Sequence, residues 1–98
     1  MMVTAAGLLG GCSTGHEVLV RVRFQPGTSQ GAATSIADRC GHDPTVWRIE
    51  PPIADPNGSL ALGIWTHSGS VSDPAIQAIL RCLGGSMAVA SASTSMLV

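Results

Sequence analysis

The sequence has no lysine and no tyrosine, and one phenylalanine stands beside two tryptophans. Each shortage excludes something. The five basic residues are all arginine (Arg21, Arg23, Arg39, Arg48 and Arg81) and face six acids, for a formal net charge of −1. The dense positive footprint that a phosphate backbone demands is therefore lacking. Scarce aromatics remove the platforms on which single-stranded bases stack. No nucleic acid partner is expected. Charged residues make up only 11% of the chain, yet no apolar run approaches the ~20 residues a membrane-spanning helix needs. A hydrophobic content of 45% is too high for a disordered chain. The 98 residues leave room for one domain, and one so small buries a little over ~60% of its unfolded surface, which predicts modest stability.

What is present is a repeated alternation of strand and helix patterns. Val18, Val20, Val22 and Phe24 alternate with Leu19, Arg21 and Arg23, the period of a half-buried strand. Gln25-Pro26-Gly27 ends it, and Thr28 or Ser29 caps a helix whose apolar positions are Ala32, Ala33, Ile36 and Cys40. Gly41 reads as a left-handed helix stop reinforced by Pro44. A second strand, Thr45 to Glu50, is expected to place Trp47 and Ile49 on one face. Pro51-Pro52 closes it, and Asp55-Pro56-Asn57-Gly58 is turn chemistry. The third strand, Leu60 to Thr66, puts Leu60, Leu62 and Ile64 on one face. Asp73 then caps a second helix with Pro74 at its first position, with Ile76, Ile79, Leu80 and Leu83 as its buried stripe. Met87 to Ala92 makes a fourth, weaker strand, and residues 93–98 form a tail or a short strand extension. Val20, Val22, Ile36, Leu62, Ile64, Ile79 and Leu80 are the expected core.

The halves align at an offset of 42, pairing Val18 with Leu60, Val20 with Leu62, Val22 with Ile64, Gly27 with Gly69, and Arg39-Cys40 with Arg81-Cys82. The resulting βαββαβ order resembles the ferredoxin-like fold. That resemblance implies an α+β domain over residues 18–92, an antiparallel sheet in the order 4-1-3-2, and both helices on one face. It implies a scaffold and no activity. Ferredoxin-like metallochaperones carry paired cysteines in the first strand–helix loop and acylphosphatases an arginine, whereas Gln25-Pro26-Gly27-Thr28 holds neither. No nucleophile elbow, phosphate loop or carboxylate pair is seen. No enzyme and no cofactor are expected.

Three clusters remain as candidate sites. Cys40 and Cys82 each lie in the last turn of a helix. Their even count suggests a disulfide, but antiparallel helices of ten residues would hold them roughly 15 Å apart, beyond the ~7 Å a bridge tolerates. Two buried thiols are the preferred expectation. At one end of the sheet the fold collects His16, Cys40, His42 and His67, with Asp43 nearby, a set suited to zinc or copper. On the helix-free face, Leu19, Arg21, Arg23 and Trp65 have the composition of a protein-interaction surface, or of arginines covering a tryptophan.

The amino terminus carries its own signal. Residues 1–11 are uncharged and mostly small or apolar, and they run into Leu9-Gly10-Gly11-Cys12. This resembles a bacterial lipobox, with leucine at −3, small residues before the cysteine, and Ser13-Thr14-Gly15 as a tether. A positive leading segment is missing and the apolar stretch is short for a signal peptide; a start codon further upstream would supply both. The resemblance implies a signal-like segment over 1–11, lipidation of Cys12, an anchor and tether over 12–17, and a place on the extracytoplasmic face of the cell membrane. The reading that follows is a lipid-anchored protein-binding or scaffolding module, with a metal-binding or metal-sensing module as the alternative.

Overall fold

The computed structural model describes residues 17–97. Cys12 and His16 lie outside them. The order of elements is β1 (Glu17–Phe24), α1 (Gln30–Cys40), β2 (Val46–Ile49), β3 (Ile53–Ala54), β4 (Leu60–Thr66), α2 (Pro74–Gly84) and β5 (Val89–Leu97). The architecture is α+β, with two helices packed on an antiparallel sheet. Among the described residues the sheet has five strands where four were expected, and its order is β2-β4-β1-β5 with β3 also pairing β4; β3 is what departs from a four-stranded 4-1-3-2 sheet. The difference arises at Pro51-Pro52, which interrupt the edge strand. Beyond them the chain resumes as the two-residue β3, which turns through Asp55–Ser59 into β4.

Local chemistry explains both helices. The Ser29 side chain accepts the N–H of Ala32, and the Asp73 side chain accepts that of Ala75, so each helix begins by satisfying an orphan donor. Asp73 is itself held, because its second oxygen accepts the Ser68 hydroxyl at 2.8 Å. The expected left-handed stop at Gly41 is not found, since its φ is −90°. Glycine is required there by space: a Cβ would sit 2.8 Å from the Ala37 carbonyl oxygen and 2.9 Å from Ile49 Cδ1. Left-handed glycines occur instead in the turns at Gly27 and Gly58.

A single apolar cluster lies between sheet and helices. Val18, Val20, Val22 and Phe24 of β1 and Leu60, Leu62 and Ile64 of β4 meet Ala33, Ile36 and Ala37 of α1 and Ile76, Ile79 and Leu83 of α2. Leu80, expected in the core, packs against its margin half-buried. The buried hydroxyl of Thr66 donates to the Val18 carbonyl at 2.8 Å and accepts the Ser68 N–H, so it adds no unsatisfied group.

The expectation that Cys40 and Cys82 stay apart is overturned. They form a disulfide, with Cα atoms 5.4 Å apart and a sequence separation of 42. Antiparallel helices need not overlap along their full length, and here their last turns meet. The offset of 42 that relates the two halves carries Cys40 onto Cys82, and it equally carries Arg21 onto Gly63, its own partner in the β1–β4 ladder. One pseudo-twofold axis therefore runs through the centre of the sheet and through the bridge. Equivalent positions far from such an axis lie far apart, but those on it meet, and here the last turns of both helices converge on it.

Residues 93–97 belong to β5, which pairs with β1 as far as Glu17↔Leu97. Strand extension, not tail, is the outcome.

Candidate functional site

Alternation along the two central strands sends one set of side chains away from the helices. From β1 these are Glu17, Leu19, Arg21 and Arg23, and from β4 they are Ala61, Gly63 and Trp65, with Leu19↔Trp65, Arg21↔Gly63 and Arg23↔Ala61 as ladder partners. The expected patch of Leu19, Arg21, Arg23 and Trp65 thus shares one face, but its members differ in exposure. Leu19 is only 4% exposed, so it is a support and not a contact residue. The Glu50 side chain folds over this part of the face. Its Oε2 accepts the Trp65 indole N–H at 3.1 Å, while Oε1 lies 2.7 Å from where a Cβ on Gly63 would be. Leu19 Cδ1 is 3.0 Å from that same point. Gly63 is what lets a carboxylate and a leucine approach the same spot on the sheet.

The aromatic member that does reach solvent is Trp47, at 48% exposure. Sequence periodicity put it beside Ile49 on one face. Instead, the register of β2 against β4 shifts between Val46 and Arg48. Such a bulge inserts an extra residue and re-aims side chains. Val46 and Ile49 both pack against the core margin, and Trp47 turns to meet Trp65. The two indoles have centroids 5.8 Å apart, tilted by 56°. On its other side Trp47 stacks with the His67 imidazole at 5.7 Å and 21°, and His67 Nδ1 lies 2.8 Å from Glu17 Oε2. A groove of about 580 Å³ opens beside Trp47, lined by His42, Asp43, Pro44 and Arg48 among others. Asp43 shapes its rim: Oδ1 accepts the Thr45 hydroxyl at 2.7 Å and the Thr45 N–H at 2.9 Å. These two bonds, the hydroxyl first, hold its carboxyl below the ordinary carboxylate range.

The arginines occupy the other end of the face. Arg23 pairs with Asp55 at 2.9 Å, and Asp55 Oδ1 also accepts the N–H groups of Asn57 and Ser59. Arg21 has no ion-pair partner among the described residues. Beside them on β5 stand Ser93 and Ser91, and a groove of about 450 Å³ is lined by these four residues together with Glu50, Ile53 and Asp55.

Among the described residues the histidine-rich edge does not come together as a metal set; His16 lies outside them. Cys40, its only thiol, is consumed by the bond to Cys82, and a disulfide sulfur is not the thiolate that metals bind. His42 lines the Trp47 groove and His67 is engaged by Trp47 and Glu17. Among the described residues no three His, Cys, Asp or Glu side chains come together as a metal site. Among them, too, no helix is long and apolar enough to cross a membrane.

Sequence reasoning missed Trp47 as a surface residue, and the signal for a bulge is faint. The only hint is that Val46 and Ile49 cannot both face inward in an unbroken strand.

Comparison with known proteins adds little. The chain is 38% identical over 68 residues to a chorismate synthase of Sphingopyxis alaskensis, an alignment covering 59% of this chain and 19% of that protein. The chain spans about a fifth of that relative's length, too little to place it in a family. It matches no family model and no solved structure.

Proposed function

We propose that the chain is a non-catalytic extracytoplasmic domain, held at the membrane by a lipid on Cys12, that docks a protein partner on the open face of a ferredoxin-like scaffold. The observation that carries this reading is the Cys40–Cys82 bond. Disulfides persist in oxidising compartments, and small exported domains with limited cores rely on them. With those two sulfurs joined, Cys12 is the one remaining cysteine of the three, and it is the residue that follows Leu9-Gly10-Gly11. Lipidation would give the last thiol a use, so that no free cysteine faces an oxidising environment.

The docking role is supported by the chemistry of the open face. Tryptophan and arginine dominate interface hot spots, and here Trp47, Trp65, Arg48 and Arg21 lie on or beside it. Trp65 is fixed by Glu50 and Trp47 by Trp65 and His67, so little side-chain freedom is left to lose on binding.

The test is expression of the full chain in a bacterial host. The expected product fractionates with the membrane, dissolves in detergent and migrates as an oxidised species on a non-reducing gel, and Cys12→Ala releases it. Cytoplasmic, fully reduced protein from both variants would sink the proposal. A photo-crosslinking residue at Trp47 should then give a discrete protein adduct that one at Ala78, on the exposed side of α2, does not. Equal adducts from both positions count against the open face.

A further inference from the structure

The sheet ends in two unlike edges. On one side β2 is four residues long, bulged at Trp47 and charged at Arg48. Pro51-Pro52 follow it, and β3 adds only two residues. Shortness, bulges, charge and flanking proline are the devices by which sheets prevent further strand addition. The β5 edge has almost none of them. Its one irregularity lies at its start, where the register shifts between Arg23 and Phe24. From Ser91 to Leu97 it runs in unbroken register with β1, and that stretch, Ser-Ala-Ser-Thr-Ser-Met-Leu, contains no charge and no proline. Among the described residues β1 is the only ladder partner of β5, so alternate backbone N–H and C=O groups of β5 point away from the sheet with nothing paired to them.

A second observation concerns a side chain. Met96 is 42% exposed and is the ladder partner of Val18, while Ala92 is the partner of Val22. Because Val18 and Val22 face the helices, Ala92, Thr94 and Met96 share that side of the sheet. A large apolar residue thus overhangs the open edge, four positions from a small one on the same face.

We propose that β5 pairs antiparallel with β5 of a second copy of this chain, about a twofold axis at Thr94, joining two sheets into one. Complete overlap of the regular stretch puts its midpoint on the axis. Met96 then lies opposite Ala92 of the second copy, twice by symmetry, and the exposed methionine acquires a partner small enough to leave it room. Thr94 meets its own counterpart, and Ser93 faces Ser95. Such threonine and serine pairs are favourable across antiparallel strands, and no like charges are brought together. The complementarity is large against small and neutral against neutral. The β2 edge offers no comparable match to itself, since its bulge and Arg48 would face their own copies. This pairing uses an edge, leaves the open face clear, and does not rest on the anchor or on the docking role.

Sedimentation velocity on the full chain carrying Cys12→Ser, from about 10 µM to about 1 mM, should show a dimer that dissociates on dilution, as expected for a small interface. Residues directly opposite across the axis have Cα atoms ~4.5–5.5 Å apart, within disulfide reach. Thr94→Cys should therefore oxidise to a covalent dimer at least tenfold faster than Ser93→Cys, whose counterpart sits diagonally at ~7–8 Å. Met96→Glu should raise the dissociation constant at least tenfold while leaving the circular dichroism of the monomer unchanged. A chain that stays monomeric at the highest concentration overturns the proposal, and so does equal cross-linking at positions 93 and 94. If Met96→Glu fails to fold, the cysteine pair still decides the matter.

Discussion

The helix-covered and open faces of the sheet are built from the same central strands, β1 and β4, yet they exclude water by different means. On the covered side, among the described residues, fourteen side chains from four elements form one cluster, and each is backed by several others. On the open side, Leu19 is buried almost as deeply, but by a handful of groups: the Glu50 carboxylate, the Trp65 ring it holds, and the missing Cβ of Gly63. Redundant packing tolerates small adjustments and fails through cavities. A single brace fails when any one member is changed.

The largest expected effect tests the covered side. Leu62→Ala should cost about 2–5 kcal/mol in urea unfolding, and Leu19→Ala on the open side distinctly less, because Glu50 and Trp65 can settle onto the space. Equal losses would mean that the two faces are not built differently. Next in size is the bridge that ties the covered side together. Replacing both Cys40 and Cys82 by alanine should lower stability by about 2–4 kcal/mol, in keeping with the long loop it closes; a loss near zero would show that the helix ends hold without it. The brace itself is tested by Gly63→Val. The added side chain displaces Glu50 from Trp65, for about 1–2 kcal/mol, and tryptophan fluorescence should report the change where Leu62→Ala in the folded state does not.

The smallest effect concerns the rim of the Trp47 groove. Asp43 is held below its ordinary pKa by Thr45, so its stabilising contribution is fully present above the unfolded value of ~3.9 and is lost as pH falls through the lower folded value. Thr45→Val removes the hydroxyl donor, and an NMR titration should find the Asp43 carboxyl moved up toward the ordinary range. The variant should be less stable than the parent above about pH 4, with the gap closing in acid.

Elements whose side chains repeat at a fixed period were legible in the sequence. β1, β4 and both helices follow from alternation, the i, i+3, i+4 stripe, and caps at Ser29 and Asp73. What periodicity cannot register is a break in period. The bulge at Trp47 is such a break, and it moved the most exposed aromatic residue to the other face of the sheet. β3 was missed because two residues after a proline pair have no period to detect. The bridge was missed for another reason: spacing along the chain measures distance along a helix but not where two helices cross. The information was nonetheless present, because an offset that maps Arg21 onto its ladder partner and Cys40 onto Cys82 locates the axis on which such pairs meet. Leu19 was read as surface because alternation distinguishes two faces without saying which of them another side chain will cover.

The position of the bridge also determines how the domain would carry a load. Glu17 and Leu97 are ladder partners, so tension applied between them peels β5 from β1 one pair at a time. The covalent path joining those two points runs through β1 and α1 to Cys40, across to Cys82, and on through the last turn of α2 into β5. Residues 41–81, with β2, β3, β4 and most of α2, form a closed ring off that path. A stretched molecule would therefore extend only outside the ring, and its contour length would grow to the full value only after reduction.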